Sequence, residues 1–212
     1  ITAHNVDISR TGDNIIYTKI DLRQFYEQVF GTALAEYNAK QKRADRQIPD
    51  YYEHVKNSGK GKLFYEVVVQ FGDLHDCGVG SENWKTAQAM LDEYMQKFEK
   101  RNPNLKVFNA VMHLDESTPH LHIDFVPVAH KGQRGMPLKN SMSGALREQG
   151  FSSANRMENE WTAWSKSERS FMEQILLKHG LRREDKNVHR PHLSVDDYKK
   201  AAHEAEQISI IN

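Results

Sequence analysis

One cysteine, Cys77, stands in the 212 residues of this chain. A lone thiol excludes an internal disulfide and a cysteine-rich zinc site, and it fits a reducing cytoplasm. No apolar run approaches the length of a membrane span, and no signal peptide is visible. Net charge is also missing, because Lys+Arg and Asp+Glu both count 29. That balance argues against a binder that holds nucleic acid by bulk electrostatics alone, although it allows a local basic groove. A hydrophobic share of 38% with 27% charged residues suits a globular protein on the polar side.

Histidine is the residue in surplus, with 11 copies. Three of them fall in His113-Leu-Asp-Glu-Ser-Thr-Pro-His-Leu-His122, with Asp115 and Glu116 between. Residues 107–113 and 120–127 read as strands, and the short linker between them makes an antiparallel hairpin the simplest connection. Alternation then puts His120, His122 and Asp124 on one face, with Leu121, Ile123 and Phe125 on the other. His113 ends the partner strand close to His120. A lone strand histidine is usually only a solvated polar residue. Here HxH faces a third histidine across a tight turn that carries two carboxylates, and that arrangement predicts a metal site with open positions.

The flanking chain predicts an α+β fold. Residues 1–20 read as a polar loop. Residues 21–45 read as a helix that Asp21 can cap, and a short helix follows Pro49 and ends at Gly59. Residues 62–71 form a β-branched, aromatic strand. Ser81 opens a helix over 82–101, with Trp84, Ala87, Leu91, Tyr94, Met95 and Phe98 as its core stripe. Residues 153–179 form another helix, in which Trp161 and Trp164 read as core residues. A polar linker leads to a last helix over 195–208, opened by the capping residues Ser194 to Asp197. The expected fold is an antiparallel sheet with helices mainly on one face, in a domain over 1–190 followed by a helical extension over 191–212.

No acidic residue occurs from 128 to 147, a stretch that follows the histidine strand directly. It carries Lys131, Arg134 and Lys139, which read either as an ordinary surface loop or as a cationic flap over phosphates. With Arg10 in the N-terminal segment, these are the candidate DNA contacts.

Imidazole donors suit zinc, manganese, cobalt or other transition ions better than magnesium. Such an ion activates a phosphoryl or carbonyl oxygen, or generates hydroxide. Glu116 or Asp115 would act as a general base or orient an imidazole. Metal-assisted phosphoryl transfer and hydrolysis of a small substrate by metal-bound hydroxide both remain open on the residues alone, beside a binding module without catalysis.

The run HLDESTPHLHIDFVP resembles the H-x-D-E-x-x-P-H-x-H-x-x-x-x-P signature of the Pre/Mob (MobV) relaxases, members of the HUH endonuclease class. Weaker similarity runs through Asn5 to Asn14, Phe151, Lys178 to Leu181 and His192 to Lys199. The resemblance implies a relaxase that nicks and rejoins one DNA strand at an origin of transfer through a covalent 5′-phospho-protein intermediate, in mobilisation of a plasmid or similar element. It implies His113, His120 and His122 as ligands of a divalent ion, with Mn2+ favoured over Mg2+, Zn2+, Co2+ or Ni2+. Glu116 would work beside the nucleophile or the ion, and Asp115 would orient a ligand. The implied partners are single-stranded or hairpin origin DNA, other mobilisation proteins and a conjugation coupling protein. The family's first motif, H-N-x-R, carries a histidine nucleophile. His4-Asn5-Val6-Asp7 lacks its arginine, so the expectation is that the motif lies upstream of Ile1. Tyr17, Tyr26 and Tyr37 carry no recognisable nucleophile motif.

Overall fold

The computed structural model describes residues 6–59, 61–130, 135–152, 155 and 157–184. Lys131, Arg134, the expected helix over 195–208 and the boundary near 190 lie outside them.

The organising element is the expected hairpin. Strand β3 (Leu105–His113) pairs antiparallel with β4 (His120–His130), and His113 sits opposite His120. Around it lie β1 (Ile15–Lys19), β2 (Tyr65–Val69) and β5 (Leu138–Asn140), in the order β1-β3-β4-β2, with β5 paired to the far end of β4. Every pairing is antiparallel. β1 falls where the sequence reads as a loop. Its apolar run Ile15-Ile16-Tyr17 is too short to stand out, and it becomes a strand by pairing with β3.

Alternation sends Leu121, Ile123 and Phe125 to one face, where each is completely buried. Four helices cover that face: α4 (Trp84–Gln96), α5 (Phe98–Arg101), α6 (Met142–Glu148) and α7 (Glu160–Lys178). The expected helix over 82–101 is interrupted at Lys97, and its stripe delivers Ala87, Leu91, Tyr94 and Phe98 to the core with Met90. The helix expected from 153 begins at Glu160, where the Asn159 side chain accepts the Thr162 N–H and caps it.

Among the described residues the opposite face is covered at one end only. Helix α1 (Leu22–Ala39), capped by Asp21, and α2 (Tyr51–Asn57) bring Phe25, Tyr26, Phe30 and Tyr51 onto Phe108, Val126 and Val128. The helices are therefore mainly, and not wholly, on one side. A short α3 (Leu74–Cys77) precedes α4, and the N–H of Val79 beyond it donates to Ser117 O in the hairpin turn. Cys77 is buried, and burial pushes its thiol up to about 11, so it is inert at neutral pH.

A bulge in β3 sets which face each residue meets. The register shifts between Val107 and Asn109, so Phe108 and Asn109 both turn to the face opposite Val107, Phe108 into the α1 core and Asn109 beside Asp124. Beyond the bulge, Ala110 and Met112 are buried while Asn109, Val111 and His113 are partly exposed on the face of His120 and His122.

Candidate metal centre

Three imidazoles share the uncovered end of the sheet. The ring centroids of His113 and His120 are 5.3 Å apart, those of His113 and His122 5.2 Å, and those of His120 and His122 5.1 Å. The triangle is nearly equilateral. His113 and His122 side chains are 32% and 30% exposed, so the cluster faces outward from an open surface and is not sealed in a cavity.

Each ring is held from behind by an acceptor at Nδ1. His122 Nδ1 lies 2.6 Å from Glu66 Oε1, His120 Nδ1 lies 2.9 Å from the Thr118 carbonyl, and His113 Nδ1 lies 3.3 Å from Asp115 Oδ1. An acceptor opposite Nδ1 places the proton there and leaves the Nε2 lone pair for a ligand. Three nitrogen donors with fixed tautomers fit a divalent transition ion. Among the described residues no group of three His, Cys, Asp or Glu side chains stands in a geometry that could hold a metal ion as placed. The donor set and its clustering carry the fit, and some adjustment of the rings is needed to close on an ion.

The turn between the strands is clamped by the N-terminal segment. Asn14 Oδ1 accepts the N–H groups of Leu114 and Asp115, and its Nδ2 donates to Asp115 Oδ2 at 2.8 Å. Arg10 donates to the carbonyls of Leu114 (2.6 Å) and Glu116 (3.1 Å) and pairs with Asp7. Arg10 is a candidate DNA contact, and its guanidinium here spans two carbonyls of the turn and the Asp7 carboxylate. Asp7 N–H donates to Asp115 O at 2.7 Å, which ties this segment to the turn beside His113.

Asp115 is 3% exposed. Burial raises its carboxyl pKa, but hydrogen bonds from Asn14, Thr11 and His113 outweigh it and hold the carboxyl below its usual range. It therefore stays anionic behind His113. Glu116 stands half-buried in the turn. Glu66 went unnoticed in the sequence, since only the pairing of Glu66 with Asp124 and of Val68 with His122 brings β2 to the cluster. Asp124 lies on the same face. Burial raises its pKa against a hydrogen bond from Asn109, and Glu66 adds to the rise.

Lys139 is opposite Ala129 on β5, seven residues along β4 from His122 and therefore roughly 23 Å away. The structure does not bring it to the histidines. The tyrosines are also committed elsewhere. Tyr17 donates to Asp92, Tyr26 to the Leu63 carbonyl and Tyr37 to the Arg46 carbonyl, and burial raises the pKa of Tyr17 and Tyr26.

Comparison with known proteins decides the family. The model of the plasmid recombination enzymes (Mob_Pre) matches residues 1–200. This chain belongs to the Pre/Mob family of plasmid recombination enzymes. No curated protein matches it. Among solved structures it is similar to the MobM relaxase domain (MOBV) bound to plasmid pMV158 oriT DNA of 22 nucleotides in a Mn-bound crystal at pH 5.5, with 21% identity, 95% of this chain and 86% of that chain covered, and a TM-score of 0.52. A second Mn-bound MobM structure, with the DNA carrying a 3′ thiophosphate, matches at 21% identity over 95% and 85% of the two chains with a TM-score of 0.51. At that identity the likeness establishes the Pre/Mob relaxase fold: a five-stranded antiparallel sheet with helices.

Proposed function

We propose that this Pre/Mob chain is a metal-dependent relaxase that nicks and rejoins one DNA strand at an origin of transfer, with His113, His120 and His122 holding the ion. The observation that carries this reading is the outward-facing cluster of three tautomer-fixed imidazoles, on the fold whose solved examples hold Mn and origin DNA. Mn2+ is the favoured ion, consistent with nitrogen donors and with those structures. When bound, the ion draws charge from the scissile phosphate as it develops in the transition state. Glu66, Asp115 and the Thr118 carbonyl hold the ligand rings. Arg10 and Asn14 hold the turn that carries Glu116, which sits close enough in sequence to serve the reacting groups.

The open face favours a polymer over a small ester, because nothing among the described residues encloses a small substrate at the histidines. The attacking group is assigned to the segment N-terminal to Asp7, whose own N–H donates to Asp115 O in the hairpin turn. Attack on phosphorus joins the protein to the 5′ phosphate and frees a 3′ hydroxyl, and rejoining reverses the step. Beyond origin DNA, mobilisation proteins and a coupling protein are partners consistent with such a role, in the cytoplasm. Among the described residues no helix is long and apolar enough to cross a membrane.

The test incubates the protein with single-stranded origin DNA of its own element and Mn2+. A covalent protein–DNA adduct with a free 3′ hydroxyl is expected. Metal-dependent turnover of a small phosphoester with no adduct would replace this reading with a hydrolase, and DNA binding without cleavage would leave a binding module.

A further inference from the structure

A second feature borders the histidine face at the outer edge of β2. A cavity of about 930 Å³ opens there, lined in part by Lys56, Lys62, Phe64, Tyr65, Glu66 and Trp161. Trp161 is 38% exposed, whereas Trp164, one turn along α7, is 3% exposed. The exposed indole is braced from behind. Its ring lies 4.7 Å from Trp164 and 6.4 Å from Tyr65, and both of those rings rest 6.3 Å from the buried Phe125. Phe64 is also 38% exposed and stands edge-on to Phe108 at 5.4 Å.

The charge around these rings is positive and lightly committed. Lys62 Nζ sits 5.7 Å above the Tyr65 ring, and Lys56 Nζ has Glu53 4.0 Å away in an exposed contact. Exposed pairs of that kind contribute little. Glu66 lines the cavity and also accepts from His122 Nδ1, so the cavity and the histidine cluster share a wall. A rigid, partly exposed indole beside two ammonium groups is the combination that takes a nucleotide, base on the ring and phosphate on the cations. The acid on the histidine side steers phosphates toward the lysines.

We propose that this cavity is a subsite for an unstacked base of single-stranded DNA, which stacks on Trp161 while Lys56 and Lys62 neutralise the adjoining phosphates. The subsite rests on the reading of the chain as a DNA strand transferase and adds to it where the strand is gripped beside the histidines. Double-stranded DNA is not its ligand, because paired bases offer no free face to an indole.

The probes are an oligothymidylate and an abasic strand of the same length, titrated against the protein and its variants. The unaltered protein binds the thymidylate more tightly. Trp161→Ala weakens thymidylate binding roughly tenfold and leaves abasic binding unchanged. Trp161→Leu, which keeps apolar volume under the helix, loses the same preference, and Trp161→Phe retains most of it. Lys56→Ala with Lys62→Ala weakens both strands and flattens the logarithmic salt dependence by about 1.4. If the unaltered protein binds neither strand, the strand-transferase reading falls and the subsite falls with it. If thymidylate binds equally well with Trp161, Leu or Ala, or no better than the abasic strand, the subsite alone is overturned.

Discussion

The two faces of β4 divide the work of the protein. On one, Leu121, Ile123 and Phe125 are fully buried under four helices. On the other, His120, His122 and Asp124 alternate with them and stay partly exposed. The open face is not uniformly polar. In one row across the sheet, Ile16 pairs with Val111, Val111 with His122 and His122 with Val68. Ile16 is 59% and Val68 55% exposed. The same alternation therefore anchors the strand through one set of residues and leaves the other set free for a ligand. Stability and chemistry are separable here at a spacing of one residue.

The largest expected effect falls on the open face. His122→Ala should abolish metal-dependent nicking, measured as adduct formation, while shifting unfolding free energy by only about 0.5 kcal/mol or less. Unchanged nicking would remove His122 from the ligand set. Its neighbour on the packed face should do the opposite: Phe125→Ala costs about 3–5 kcal/mol in denaturant unfolding through the void it leaves. A loss below about 1 kcal/mol would mean that the packed face is not the anchor. Between the two lies Glu66→Ala, expected to weaken Mn2+ affinity by about 10–100-fold in calorimetric titration with little change in melting, because it frees the His122 ring. Glu66→Gln, which keeps an oxygen acceptor, should lose less. Equal metal affinity in all three proteins would make Glu66 a bystander.

The smallest effect tests the packed side at its rim. Hydrogen bonds from Lys178 on α7 and Lys97 hold the Glu93 carboxyl at about 2. A carboxyl with a depressed folded pKa adds stability above its unfolded value, near 4.3, and loses it as pH falls toward the folded one. Solvent screening keeps the contribution to about 1 kcal/mol or less. The gap between the unaltered protein and Glu93→Gln should be constant above about pH 5 and close between about pH 4 and 2. A gap independent of pH over that range would mean that the charge of Glu93 adds nothing.

Local pattern carried the hairpin. The alternation of His120 and His122 with Leu121 and Ile123, and the approach of His113, were legible because two strands and a short turn fix each other. The caps at Asp21 and the core residues of α4 were legible for the same reason. Glu66 was not, because its distance from His122 depends on the register of β2 against β4, which no local pattern states. Arg10 read as a candidate DNA contact, and nothing near it in sequence announces that Leu114 and Glu116 will present carbonyls to it. Trp161 and Trp164 read alike as core, and only the edge position of β2 leaves the first partly uncovered while the second is sealed.

The bulge at Phe108 turns this into an arithmetic constraint on the chain. Between Leu105, fully buried, and His113, on the open face, lie eight steps, an even number that straight alternation would return to the same side. The extra residue changes the parity, and so lets one strand give both Phe108 and His113 to the face that carries the histidine cluster. One residue more or fewer between the bulge and His113 would reset the phase and turn His113 toward the packed face.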